Sequence, residues 1–376
     1  MKESVSVSAM LDQIRDLSHR IDRPARYMEV CGTHTVSFFR TGIRAMLPEN
    51  VKMISGPGCP VCVTAQRHID AAIQLATRPQ VIIATYGDML RVPGRLGSLE
   101  RRRAEGARVQ VVTSAQSALD LARAHSDEQV VFLAVGFETT APATAVVIGD
   151  AEREGIDNFS VLMCHKLIIP AMLALLEDGQ SALDGFLCPG HVSVIIGASA
   201  YRPVVARHRV PCVVAGFEPL QMLLGVRQLL RQTLEGRAEL ENVYPACVHT
   251  DGNQTAVDLM REIFREDDVP WRALGSIPLS GLRLAPRFAR FDATARFDIV
   301  EGDDVDHPGC RCGEVIQGRV EPSDCPLFGN PCTPHNPIGP CMVSSEGTCA
   351  AWYRYQANEG NRRRFQSAGE ELSCRR

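Results

Sequence analysis

Eight short apolar runs, separated by stretches long enough for a helix, constrain the fold more than any other feature of this chain. They are Arg26–Val30, Val51–Ser55, Val81–Thr85, Val109–Val112, Val130–Val135, Phe159–Met163, Gly185–Leu187 and Val210–Ala215. Strands alternating with helices predict βαβ units and parallel sheets, because parallel neighbours need a crossover of a dozen or more residues. The pattern starts again near Val130, so the expected fold class is α/β, with two similar open Rossmann-like lobes carrying parallel sheets, residues 1–118 and 119–232. Leu11–Leu17, Leu234–Tyr244 and Ala256–Phe264 read as helices. Beyond Pro270 the alternation fades, and residues 233–376 are expected to form a helical, Cys-rich third unit.

The chemistry gathers after the strands. Cys31-Gly32-Thr33-His34 follows the first, and Gly56-Pro57-Gly58-Cys59-Pro60-Val61-Cys62 follows the second. Gly136-Phe137-Glu138-Thr139-Thr140, Cys188-Pro189-Gly190-His191 and Gly216-Phe217-Glu218 follow later ones. Sites in open α/β sheets form at the carboxyl ends of strands, so Cys31, Cys59, Cys62, Glu138, His191 and Glu218 are expected to converge on one cleft between the lobes. A Cys-x-x-Cys in a Gly/Pro-rich turn that opens onto a helix suits a thiol–disulfide couple or half of a metal site, and a helix start favours the thiolate. Gly-Phe-Glu recurs at 136 and 216, an echo too short to establish duplication.

A 22% charged chain with net charge −4 excludes a polyanion binder, and Arg101–Arg103 and Arg362–Arg364 read as solvated faces. Neither a secretory signal nor an apolar run of ~18 residues is visible, so a cytoplasmic, membrane-free location is expected. Cytosolic thiols are kept reduced, so 14 cysteines are not a disulfide framework. Cys164, Cys188, Cys212 and Cys247 read as small buried hydrophobes. Six others, Cys310, Cys312, Cys325, Cys332, Cys341 and Cys349, crowd the tail. Their wide intervals suit a four-thiolate iron–sulfur cluster better than zinc knuckles, but spacing alone leaves cluster, zinc and no metal open, and does not select four ligands from six. No phosphate-binding loop or dinucleotide fingerprint appears.

Taken in order, Cys31–His34, Gly56–Cys62, Gly136–Thr140, Pro189–Ser193, Asp324-Cys325-Pro326-Leu327-Phe328-Gly329 and Met342-Val343-Ser344-Ser345-Glu346-Gly347 resemble the hydrogenase maturation family HypD, from about Met28 to Tyr355. The resemblance implies two α/β lobes plus a C-terminal iron–sulfur domain, and an assembly scaffold for the Fe(CN)2CO group of [NiFe]-hydrogenases rather than an enzyme of conventional turnover. It implies partnership with the chaperone HypC and with HypE as cyanide donor. Cys31 would hold the iron together with a HypC cysteine, and Cys59 and Cys62 would be a redox pair. Cys310, Cys325, Cys332 and Cys349 would bind a [4Fe-4S] cluster, leaving Cys312 and Cys341 unligated. His34, Glu138 and His191 are the expected groups for proton transfer or for orienting ligands. Where many relatives carry a second histidine, this chain has Val36; where many have proline, it has Ala65. Two other readings use the same residues: a cluster-dependent reductase of a protein disulfide, and a zinc-stabilised adaptor.

Overall fold

The computed structural model describes residues 6–180 and 182–355. The basic run Arg362–Arg364 and Cys374 lie outside the described residues. Among the described residues there are eleven strands: β1 (Ala25–Glu29), β2 (Val51–Ser55), β3 (Val81–Thr85), β4 (Val109–Val111), β5 (Gln129–Gly136), β6 (Phe159–His165), β7 (Gly185–Pro189), β8 (Cys212–Ala215), β9 (Leu240–Asn242), β10 (Phe264–Trp271) and β11 (Gly275–Leu284). All eight apolar runs are strands. They build two parallel sheets, one in the order β2-β1-β7-β8-β9 and the other β4-β3-β5-β6. Strand β3 is buried along its length and β5 from Val130 onward, as expected where helices cover both faces of a parallel sheet.

The strand order corrects the expected division at residue 118. Strand β1 takes β2 on one side and β7 on the other, with Tyr27 opposite Gly185 and Glu29 opposite Leu187. One lobe therefore combines an early piece of chain with a late one, and residues 81–165 supply the whole of the other sheet. A run of buried β-branched residues announces a strand but carries no mark of its neighbour, so the chain order was the wrong guide.

Two further expectations change. The proposed helix Leu234–Tyr244 is instead the end of the helix Pro219–Glu235, stopped by Gly236 in the left-handed conformation (φ 62°), followed by the edge strand β9. A side chain is disfavoured at that φ, which makes glycine the natural stop. Beyond Ala256 the helix Gln254–Ile263 forms as expected, but it leads into an antiparallel hairpin, β10–β11, with Phe264 opposite Leu284 and a register shift between Asp267 and Val269. Acidic residues 266–268 and Pro270 hide the alternation in the sequence.

The Cys-rich stretch has little regular structure. Short helices Cys312–Ile316 and Pro340–Val343 and a last helix over residues 348–355 are joined by turns. Among the described residues no helix is long and apolar enough to cross a membrane.

Candidate functional site

A cleft of about 590 Å³ lies where the carboxyl ends of the two sheets face each other, lined by Cys31, Gly58, Phe137, Thr139, His191 and Glu346 among others. A larger cleft of about 810 Å³ runs along the open edge of β2 against residues 315–324. It carries none of the residues expected to do chemistry, and the smaller one is the candidate site.

Cys31 follows β1 by two residues and occupies the N-cap of the helix Gly32–Arg40. Its sulfur meets the amides of Thr33 and His34 and the Thr33 hydroxyl at the start of that helix. Burial pushes the thiol up to about 11; the amide of His34 opposes that shift and the Glu346 carboxylate adds to it. At neutral pH Cys31 is a protonated thiol, and binding a metal there releases its proton.

The Gly56–Cys62 turn is laid directly on Cys31. Gly32 donates its amide to the Gly58 carbonyl at 3.4 Å. A Cβ on Gly58 would fall on the Cys31 amide nitrogen and the Val30 carbonyl carbon. Cys59 caps the helix Pro60–Val63 by accepting the Cys62 amide at 3.4 Å. Cys62 thus sits in a separate one-turn helix, not in the first turn of the helix with Ile69 and Ala76, where the sequence pattern put it; that helix is Gln66–Ala76. The expected thiolate does not follow. Burial drives the Cys62 thiol well above its ordinary range, since a one-turn helix has little dipole to offset desolvation.

Cys62 is hydrogen-bonded to Cys341, which also touches Cys312 and Cys349. The Cys312 thiol lies 2.9 Å from the Cys341 sulfur. Cys310 contacts Cys312, and Cys332 feels both Cys349 and Cys310. Residues expected to stand aside, Cys312 and Cys341, thus form the junction between Cys62 and the tail. Cys325 sits apart, partly exposed, its thiol 3.8 Å from the Gly309 carbonyl. Among the described residues no group of three or more His, Cys, Asp or Glu side chains is drawn together as a metal-ion site. The donor chemistry nevertheless fits an iron–sulfur cluster. Soft thiols gather, the Ile338 amide donates to the Cys332 sulfur at 3.4 Å, and Gly339 omits a Cβ that would lie 2.8 Å from the Cys310 sulfur.

The polar candidates separate. His191 is exposed in the cleft, and partial burial lowers its pKa while Glu346 raises it. Its ring stacks on Phe217 at 3.9 Å, and Phe217 packs on His34 at 4.5 Å. His34 is fully buried, is hydrogen-bonded through Nε2 to the Gly216 carbonyl at 3.0 Å, and is lowered by burial to about 4. It is a neutral support beneath Phe217 and takes no proton in the cleft at neutral pH. Glu218 is exposed and caps the helix Pro219–Glu235, outside the cleft lining. The Gly-Phe-Glu echo is therefore structural: each copy ends a strand, β5 or β8, and its phenylalanine faces the interlobe region. Cys164, Cys188 and Cys212 are buried as expected, whereas Cys247 is exposed.

Glu138 lies just behind the cleft wall. Its Oε1 accepts the Ile168 amide at 3.0 Å and its Oε2 has no hydrogen-bond partner. Burial pushes this carboxyl up to about 7. The folded chain then holds the proton more tightly than the unfolded chain. The associated stability is present below the unfolded carboxylate range and lost as pH rises through 7. Glu138→Gln, which mimics the protonated acid, is expected to remove about 2–3 kcal/mol of the stability loss between pH 5 and pH 8. Urea unfolding at the two pH values measures it; equal slopes in the two proteins would refute the assignment.

Glu346 is the cleft residue that sequence reasoning left without a role. Thr33 Oγ1 donates to its Oε1 at 2.7 Å, and a Cβ on Gly32 would lie 2.7 Å from the Glu346 Cβ. Ser344 and Ser345 bind Asp88 on the opposite lobe. The turn at 344–347 thereby ties both lobes across one end of the cleft. The signal was present, a Ser-Ser-Glu turn between two cysteines, but nothing local says that it meets Cys31.

The chain matches over residues 5–356 the family described as HypD, hydrogenase formation hypA family. It is 50% identical over 341 residues to the hydrogenase maturation factor HypD of Azotobacter vinelandii, covering 89% of this chain and 90% of that protein. To the factor of the same name from Escherichia coli K12 it is 44% identical over 358 residues, 94% and 96% of the two chains. The Cupriavidus necator factor is 47% identical over 337 residues, 88% of this chain and 89% of its own.

Proposed function

The chain belongs to the HypD family of hydrogenase maturation factors, and from that premise we propose that it is a redox-active scaffold for assembling the Fe(CN)2CO group of [NiFe]-hydrogenases. The iron is cargo, held by Cys31 and a thiolate of HypC, and HypE delivers the cyanide. One observation carries the reading: Cys31 lines the interlobe cleft while the Cys59/Cys62 turn rests on its backbone. Thiolates are soft donors and suit an iron that also binds cyanide and carbonyl. Cys31 loses its proton as the iron binds, with His191 and Glu346 the polar neighbours lining the same cleft.

Cys310, Cys325, Cys332 and Cys349 would hold a [4Fe-4S] cluster, which when bound supplies electrons singly. The chain's own sulfurs carry the pairwise exchange. Cys341 touches both Cys312 and Cys62. On giving up its proton Cys341 attacks Cys62 in a Cys59–Cys62 disulfide, and the departing Cys59 takes up a proton to leave as a thiol. Cys312 then displaces Cys62, leaving a Cys312–Cys341 disulfide and a Cys59/Cys62 dithiol beneath the iron site. A reductase of an external protein disulfide is the weaker reading, because Cys59 and Cys62 are only 5% and 1% exposed. Catalytic turnover in the ordinary sense has no place in this scheme.

The test is anaerobic copurification with HypC, followed by infrared spectroscopy for cyanide and carbonyl stretches. The wild-type complex is expected to show them and Cys31→Ala to lose them entirely. Undiminished bands in Cys31→Ala would overturn the scaffold reading. Metal analysis and electron paramagnetic resonance of the reduced protein test the cluster separately.

A further inference from the structure

The turn of the β10–β11 hairpin, Trp271 to Leu274, stands where three parts of the molecule meet. Trp271 forms an antiparallel bridge with Thr64, and the Arg272 amide donates to the Val63 carbonyl at 3.0 Å. The hairpin tip thus acts as a short pairing partner for the end of the helix Pro60–Val63, which carries Cys62. That helix has a single turn and follows a Gly/Pro loop. Alone it is too short to hold its position, and its last carbonyls need outside donors. On its other side the tip meets the tail: the Ala273 carbonyl accepts from Gln317 Nε2 at 2.8 Å, and a Cβ on Gly313 would collide with that of Ala273. Gly313 and Gln317 belong to and follow the helix Cys312–Ile316.

Arg272 fastens this junction. Its residue is 4% exposed, and its Nε donates to Asp306 Oδ1 at 2.8 Å. Asp306 lies four positions before Cys310, with its side chain 41% exposed. A buried guanidinium held by one carboxylate at the surface is a strong constraint, since parting the two leaves a charge uncompensated in the interior. Trp271 is equally fixed: its Nε1 donates to Ser280 Oγ at 2.7 Å and its ring packs on Phe137 of the cleft wall at 5.9 Å.

We infer that Arg272, clamped by Asp306, is a positioning residue that holds the Cys62 helix within exchange distance of Cys341. The inference rests on the dithiol-exchange reading above and adds to it the element that sets the geometry. Neither Arg272 nor Asp306 touches the iron or the reacting sulfurs.

The experiment uses the full chain, purified without oxygen, in a Cys59→Ala/Cys312→Ser parent where Cys62 and Cys341 are left facing each other. At equilibrium in glutathione buffers, which the buried pair reaches through transient opening of the chain, Cys62 gives up its proton, attacks glutathione disulfide and releases one glutathione. The Cys341 thiolate then displaces the second, giving a Cys62–Cys341 disulfide and two glutathione thiols. Non-reducing peptide mapping gives the effective concentration of the pair. Arg272→Gln and Asp306→Asn are expected to lower it at least tenfold, with Arg272→Lys recovering part of the loss. Leu223→Ala, a core truncation in the helix Pro219–Glu235 away from the hairpin, is expected to lower the melting temperature without changing it. Equal crosslinking in Arg272→Gln and the parent would overturn the inference, as would an equal loss in Leu223→Ala. A parent that forms no Cys62–Cys341 bond would instead overturn the exchange reading beneath it.

Discussion

Cys59→Ala and Cys62→Ala chains are expected to accumulate as folded protein and to mature no measurable hydrogenase. Both side chains are buried in the main core, and exchanging a buried thiol for a methyl group removes little volume, at a stability cost of about 1 kcal/mol. The fold therefore survives while the pair that can close and reopen beneath Cys31 is gone. Iron–sulfur absorption is expected to be unchanged, since neither residue is among the proposed cluster ligands. Hydrogenase activity in cells whose only copy is the variant, measured beside the visible spectrum of the purified protein, checks both halves. Normal maturation in either variant would end the redox role. A lost spectrum would move these thiols into the cluster site, which Cys62 touches through Cys341.

Gly58→Ala is expected to cost about 3 kcal/mol and to abolish maturation although every cysteine remains. The position requires glycine for space alone: the new methyl would meet backbone atoms of Val30 and Cys31, which cannot rotate aside as a side chain can. Either the turn lifts off or β1 is displaced, and both separate Cys59 and Cys62 from Cys31. Iodoacetamide should then alkylate Cys31 faster than in wild type, because the cleft floor is opened. Thermal melting and the alkylation rate measured together decide the matter. An unchanged rate with normal maturation would show that the contact between turn and thiol has no functional weight.

How far the sequence could be read follows from what each signal encodes. Strands β1 to β8 were legible because apolar runs bounded by Gly and Pro have few other uses. The pairing of β1 with β7 was not, since inner strands of parallel sheets look alike. Cys31, the Cys59/Cys62 turn and His191 were legible as chemistry placed after strands, and all lie in or against the interlobe cleft. His34 and Glu218 satisfied the same rule yet became supports, one under Phe217 and one at a helix start. A strand-end position fixes which end of the sheet a residue occupies, but not whether its side chain turns toward solvent or core. Glu346 and Arg272 were left without a role for another reason: each meets an early part of the chain, Thr33 for one and Val63 for the other, and only the folded chain brings them together.

The interleaved strand order also orders events at the ribosome. β1 and β2 emerge early, but the inner neighbour of β1 arrives only with Gly185–Leu187, after the whole β4-β3-β5-β6 sheet has been synthesised. The inserted lobe can fold as a contiguous unit first, whereas the sheet that carries Cys31 must wait for a distant stretch of polypeptide. A nascent chain thus displays the Cys31 thiol on unfinished ground, and the cleft around it is complete only once translation has passed Glu346.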